Sequence, residues 1–222
     1  MSVRALVFDF DGVIADTETP EYEAWRDTWL EDGHTLELEE WVQCIGTNDA
    51  EGWHPLRALA ARVGDGFDPD EATRRRRARH HPAIAAIDRP RPGVLELLVE
   101  AREAGLRTAI ASSSDDTWVP PLLAQVGLVD HVEHLSLFDG SCPAKPAPDL
   151  YLRACAAVGV APADAIAIED SPNGIAAAKA AGLWCVAVPH AITRTLDLRA
   201  ADLVLDTLEG VTLDHLRRRL GC

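Results

Sequence analysis

Val3-Arg4-Ala5-Leu6-Val7-Phe8-Asp9-Phe10-Asp11-Gly12 sets the pattern of the whole chain: an apolar run from Val3 to Phe8 stops on two carboxylates and a glycine. A short continuous apolar run of this kind predicts a strand buried on both faces. Leu106 to Ala111 repeats it and stops on Ser112, Ser113 and Ser114, while Ala165 to Ile168 stops on Glu169 and Asp170. Leu183 to Val188 and Leu203 to Leu205 are shorter versions. Between these runs Val94 to Glu103, Trp118 to Gln125, Asp149 to Val158 and Gly174 to Ala180 have helix-like periodicity. Strands alternating with helices predict an α/β fold with a parallel sheet and crossover helices, in which ligands bind beyond the carboxyl ends of the strands. Asp9, Ser112 and the Glu169–Asp170 pair would then share one crevice although they are far apart in sequence.

The interval 17–88 breaks the alternation. It is helix-like throughout, with no clear strand, and is punctuated by Pro20, Gly33, Gly46, Gly64, Gly66 and Pro69 before Pro90, Pro92 and Gly93 mark a stiff return. The expected architecture is a Rossmann-like parallel sheet core, residues 1–16 and 89–222, with an all-helical segment, 17–88, inserted after the first strand.

With 222 residues, 47% of them hydrophobic, the chain can bury a substantial core. Its formal charge of -15 repels nucleic acid and anionic membrane surfaces, so neither is an expected partner. The same charge repels a phosphorylated metabolite, so any phosphate site must reverse the sign locally with a divalent cation, a lysine or backbone N–H groups. Five scattered cysteines, Cys44, Cys142, Cys155, Cys185 and Cys222, lack metal-type spacing and read as reduced thiols. Only Met1 and Ser2 precede the first apolar run, and no run is long enough to span a bilayer. A cytoplasmic monomer is the expectation.

Asp9 and Asp11 lie two residues apart at a strand end, so in extended geometry both carboxylates can point the same way. One could attack phosphorus while the other protonates the leaving group. A magnesium ion would offset their repulsion, and Glu169 and Asp170 are placed to complete its site. Lys145, held between Ala144 and Pro146 with Pro148 beyond, could neutralise a phosphate oxygen. Ser112 and the N–H groups after it occupy a strand-to-helix turn suited to an anion. Taken singly, each feature has a bland alternative as a turn, a cap or a solvated lysine. Their order and their common placement at strand ends favour chemistry.

The chain resembles the haloacid dehalogenase-like phosphohydrolases, in their β-phosphoglucomutase-like branch with a helical cap. The residues that carry the resemblance are Asp9-Phe10-Asp11-Gly12-Val13-Ile14-Ala15-Asp16-Thr17-Glu18, Ala111-Ser112-Ser113-Ser114, Lys145-Pro146-Ala147-Pro148-Asp149 and Ile168-Glu169-Asp170-Ser171-Pro172-Asn173-Gly174. The resemblance implies Asp9 as nucleophile and metal ligand, and Asp11 as general acid and base with a backbone carbonyl on magnesium. It implies Asp170 and Glu169 as the rest of the metal site. Ser112, Ser113, Lys145 and backbone N–H groups near Gly12 would hold the phosphoryl group. Asp11 separates this reading from a true dehalogenase, because halide leaves without a proton.

The implied activity is hydrolysis of a small phosphomonoester, of the sugar phosphate or phosphoglycolate type, through an aspartyl-phosphate. A hexose phosphate mutase is the first alternative, and an idle protein that binds a metabolite or partner is the second. Where mutase relatives carry a histidine this chain offers Glu21, and where they carry an arginine for a second phosphate it reads Gly46-Thr47-Asn48-Asp49. Both departures favour a hydrolase. In the basic run Arg74-Arg75-Arg76-Arg77-Ala78-Arg79-His80-His81, the candidate contact to an anionic substrate is Arg74 or a neighbour, against a solvated surface helix. Trp25, Trp29 and Trp41 read as cap core, with Trp53 and His54 as specificity candidates.

Overall fold

The computed structural model describes residues 3–45 and 53–222. Six strands, β1 (Ala5–Phe8), β2 (Arg107–Ser112), β3 (His134–Leu137), β4 (Ala165–Glu169), β5 (Trp184–Ala187) and β6 (Leu203–Val204), form one parallel sheet in the order β3-β2-β1-β4-β5-β6. The chain winds outward from β1 in both directions, so the strand order reverses between β1 and β4, where an open parallel sheet leaves its crevice. Phe8 pairs with Ile110 on one side and Ile168 on the other. Asp9 therefore leaves the central strand beside the ends of β2 and β4.

Alternation along β1 divides the core in two. Leu6 and Phe8 point to a layer built with Ile110, Ile166 and Ile168 against α5 (Val94–Glu103), α6 (Val119–Gln125) and α9 (Leu213–Leu220). Ala5 and Val7 point the other way, with Ala109, Ala111, Ala165 and Ala167, against α7 (Asp149–Ala157) and α8 (Pro172–Ala181). Small residues on this second face let the helices approach closely, and Ala154, Ala177 and Ala178 answer them from the helix side. Complete burial of a side chain such as Phe8 contributes about 1.5–3 kcal/mol.

The described residues of 17–88 hold α1 (Glu18–Glu31), α2 (Leu38–Trp41), α3 (Pro55–Val63) and α4 (Pro69–Ala85), and no strand. Their core is Trp25, Trp29, Leu36, Trp41 and Leu59, so three tryptophans have the expected role. Trp53 packs with them, its ring 6.4 Å from that of Trp29. Two elements depart from the sequence reading, β3 and α9. Among the described residues no helix is long and apolar enough to cross a membrane, and all five cysteines carry free thiols.

Candidate active site

The sheet brings the strand-end residues together. Asp9, whose N–H bonds to Ile168 O at 2.9 Å, lies in the floor of a cavity of about 650 Å³ between the sheet's carboxyl edge and the helices of 17–88. Ser112, Ser113, Lys145 and Asp170 line the same floor, and Asp11 lines it beside them.

Lys145 Nζ sits 2.5 Å from Asp9 Oδ1 and 2.6 Å from Glu169 Oε1. Burial works against its charge, but the two carboxylates outweigh burial and hold its pKa above the ordinary lysine value. Asp9 is pushed well up by burial, offset in part by Lys145 and raised further by Glu169, Asp170 and Asp11. Asp170 is raised by burial first, with His190 acting in the opposite direction. Asp9, Glu169 and Asp170 can bring ligand oxygens within 4.8 Å of one another.

This donor set fits a hard divalent cation, because three buried carboxylates face one buried lysine. Asp170 Oδ2 is fully buried with no hydrogen-bond donor in line, although His190 Nε2 lies 3.0 Å away. Glu169 is different. Its oxygens already accept from Lys145 Nζ, Tyr151 Oη, the N–H groups of Asp170 and Ser171, and Ser171 Oγ, and it does not line the cavity. Asp9 and Asp170 supply the open oxygens, while Glu169 closes the cluster from behind.

Asp11 is held by three donors. Thr17 Oγ1 (2.7 Å) and Trp118 Nε1 (2.8 Å) donate to Oδ1, and Ser114 Oγ (2.6 Å) donates to Oδ2. Gly12 has φ +80°, and a Cβ there would lie 2.3 Å from Asp170 Oδ2 and 2.9 Å from His190 Nε2. Its own N–H is committed to Ala15 O at 2.8 Å, so glycine serves this position by conformation and lack of bulk rather than as an anion donor. Ser112 Oγ accepts from Ser114 N, and Ser113 Oγ accepts from Lys145 N, which ties the second strand end to the lysine segment.

From above, Glu18, Glu21, Trp25, Trp41, Ile45, His54, Arg76, Arg77, His80 and His81 close the cavity. Arg74 is not among them. Its side chain is 67% exposed and paired with Glu71, because the turn of α4 directs Arg76, Arg77 and His80 toward the crevice and Arg74 away from it. Arg76 pairs with Glu21, whose Oε2 is also 3.0 Å from His80 Nε2 and whose Oε1 accepts from Trp25 Nε1. Burial, then Arg76 and His81, lower the His80 pKa to about 4, so its imidazole is neutral at pH 7. Of the two specificity candidates, His54 lines the cavity and Trp53 does not. Gly46 to Asp49 lie outside the described residues.

Sequence reading missed Thr17, Ser114, Trp118, Tyr151 and His190. Thr17 and Ser114 stood inside quoted motifs. The other three touch site residues across 18 to 107 positions of sequence, and nothing local to them signals it.

The sequence pattern of the haloacid dehalogenase-like hydrolase family matches residues 3–182. "Putative phosphatase YhcW" of Bacillus subtilis (strain 168) is 41% identical over 218 residues, covering 96% of this chain and 98% of its own length. Protein CbbY of Rhodobacter capsulatus is 33% identical over 211 residues, covering 91% and 92%. A crystal structure of CbbY from Rhodobacter sphaeroides in complex with phosphate superposes with a TM-score of 0.71 at 28% identity, covering 96% and 99%. The chain belongs to the haloacid dehalogenase-like hydrolase family, as an enzyme of the phosphatase type that includes YhcW and CbbY.

Proposed function

We propose that the protein is a magnesium-dependent phosphatase that hydrolyses a small phosphomonoester, of the sugar phosphate or phosphoglycolate type, through an aspartyl-phosphate on Asp9. The observation that carries this reading is the buried Lys145–Asp9 pair beside Asp170 at the reversal of strand order. The division of labour is a sheet core, residues 1–16 and 89–222, that does the chemistry under a helical cap, 17–88, that encloses the substrate.

Asp9 and Asp170, with the Asp11 main-chain carbonyl and Glu169 behind them, would hold the metal. Bound there, magnesium would offset the charge of the incoming phosphate and polarise its oxygens. Lys145, Ser112, Ser113 and main-chain N–H groups beside Gly12 orient the phosphoryl group. In the first step an Asp9 oxygen attacks phosphorus, the ester P–O bond breaks, and the leaving oxygen takes the Asp11 carboxyl proton. In the second, Asp11 accepts a proton from water as the water oxygen attacks phosphorus, releasing Asp9 and inorganic phosphate. Positioning and charge stabilisation supply most of the rate in such a transfer.

Neutral His80 and the Glu21–Arg76 pair offer hydrogen bonds at the cap end of the cavity, which supports a hydroxylated substrate tail.

Phosphate release from a panel of small phosphomonoesters, with magnesium, with chelator and with Asp9→Asn, tests the proposal. Release that needs metal and vanishes in the variant is the expected result. Undiminished release from Asp9→Asn would refute the nucleophile.

A further inference from the structure

One of the three donors to Asp11 is a residue outside the family motifs quoted above. Trp118 lies between β2 and α6, and its backbone N–H is held by Asp115 Oδ1 at 3.2 Å, which also accepts from Thr117. The indole is thereby presented at the crevice, where Nε1 donates to Asp11 Oδ1 at 2.8 Å. The ring packs against the core below, and from the helices above the His80 imidazole of α4 stacks on it, ring centroids 5.8 Å apart and 13° from parallel. His80 is 3% exposed, so this contact is buried.

The three donors on Asp11 are not equivalent. A hydroxyl can turn to accept, so Ser114 and Thr17 tolerate either protonation state of the carboxyl group, whereas an indole nitrogen only donates. Oδ1 must therefore remain an acceptor while the indole is in place. Oδ2, facing a hydroxyl that can turn, is left as the oxygen able to carry a proton.

We propose that Trp118 is a positioning residue for Asp11, fixing Oδ1 as acceptor so that Oδ2 delivers the proton to the leaving group, and that His80 stacked on the indole ties this geometry to the position of the cap. The inference rests on the phosphatase reading and adds to it a residue that lines the cavity and acts through Asp11. Displacing a proton donor by about 1 Å costs on the order of a hundredfold in rate, so a side chain that sets the carboxyl orientation has a measurable effect.

Protonation of the leaving oxygen matters when that oxygen is strongly basic and hardly at all when it leaves readily as an anion. The test is kcat/KM, which reports the first irreversible step, for an alkyl phosphomonoester that carries no hydroxyl group and for p-nitrophenyl phosphate, in Trp118→Phe. Phenylalanine keeps an aromatic six-membered ring at this position and removes the five-membered ring with its N–H. We expect kcat/KM for the alkyl ester to fall roughly tenfold or more, with less than about a threefold change for p-nitrophenyl phosphate. His80→Ala should show the same selective loss, not additive with Trp118→Phe, and serves as the primary variant should Trp118→Phe fail to fold. An equal fall on both substrates, or no fall on either, overturns the positioning role. A selective loss in Trp118→Phe with none in His80→Ala overturns the tie to the cap. Wild-type protein that hydrolyses neither ester overturns the phosphatase reading itself, and the inference falls with it.

Discussion

Lys145 and Glu169 form a buried ion pair, Nζ 2.6 Å from Oε1, with neither side chain more than 3% exposed. Every group around Glu169 is a donor: Lys145 and Tyr151 on Oε1, and the Asp170 and Ser171 N–H groups and the Ser171 hydroxyl on Oε2. Glu169→Gln is nearly isosteric, yet whichever way the amide turns its NH2 faces donors. It also leaves Lys145 with one carboxylate instead of two. Breaking a buried charged pair in this way costs about 3–5 kcal/mol. We expect a lower urea midpoint with an unchanged m-value, together with a large fall in activity.

Asp170 carries a prediction with a defined sign. Asp9 and Asp170 both have raised pKa values in the metal-free fold, first from burial, with the charges of Glu169, Asp170 and Asp11 adding to it at Asp9 and that of Glu169 at Asp170. They take up protons in the folded chain at a pH where the unfolded chain has lost them. Stability from these groups is present below about 3.8, the ordinary aspartate value, and is lost as pH rises through the raised values. At neutral pH a divalent cation would bind the folded state only. A hundredfold excess over Kd stabilises by about 2.7 kcal/mol, on the order of 5–10 °C for a chain of this size. Thermal melts with and without magnesium should show that rise in the wild type. Asp170→Asn should abolish the rise without lowering the metal-free Tm. A full magnesium-dependent shift in Asp170→Asn would remove Asp170 from the metal site.

The sheet was legible because strands buried on both faces are continuous apolar runs, and β1, β2 and β4 end within a residue of their expected stops. The edge strand β3 escaped because His134-Leu135-Ser136-Leu137 alternates polar and apolar over only four residues. The helix α9 was missed although its signals are present, with Thr212 capping its start, Leu213, Leu216 and Leu220 buried along one face and Gly221 at its end. Three adjacent arginines obscure that face. The gathering of Asp9, Ser112 and Asp170 at the strand ends was legible for the same reason as the strands. The residues that touch these side chains from elsewhere, Trp118, Tyr151 and His190, are set by tertiary packing and have no local pattern to betray them.

The basic helix supplies a contrast within one turn. Arg74 is solvent-exposed and paired with Glu71, whereas Arg76 lines the cavity and pairs with Glu21 beside His80. Arg74→Ala should leave KM and the urea midpoint unchanged, because exposed pairs contribute little to stability. Arg76→Ala leaves the Glu21 carboxylate without its guanidinium at the cap end of the cavity. KM for a hydroxylated phosphomonoester should rise about tenfold, with a smaller change for one lacking hydroxyls. Steady-state kinetics of the two variants on both substrates decides it, and equal KM values throughout would place the substrate tail elsewhere.

Gly12 joins fold and chemistry at a single backbone position. Its φ of +80° turns the chain between Asp11 and the start of the helical segment, and its missing Cβ leaves room for Asp170 Oδ2 and His190 Nε2. The Arg91 guanidinium fastens the same turn by donating to Gly12 O and to the Val188 and Pro189 carbonyls. Alanine at this position is strained by about 1 kcal/mol or more, and its methyl group must displace the Asp170 carboxylate, the His190 ring or both. With Asp170 as a proposed metal ligand, Gly12→Ala should weaken the magnesium-dependent rise in Tm far more than it lowers the metal-free Tm. Titrating magnesium against thermal stability separates the two effects. A variant that loses metal-free stability while keeping its full magnesium response would show that the glycine serves the turn alone.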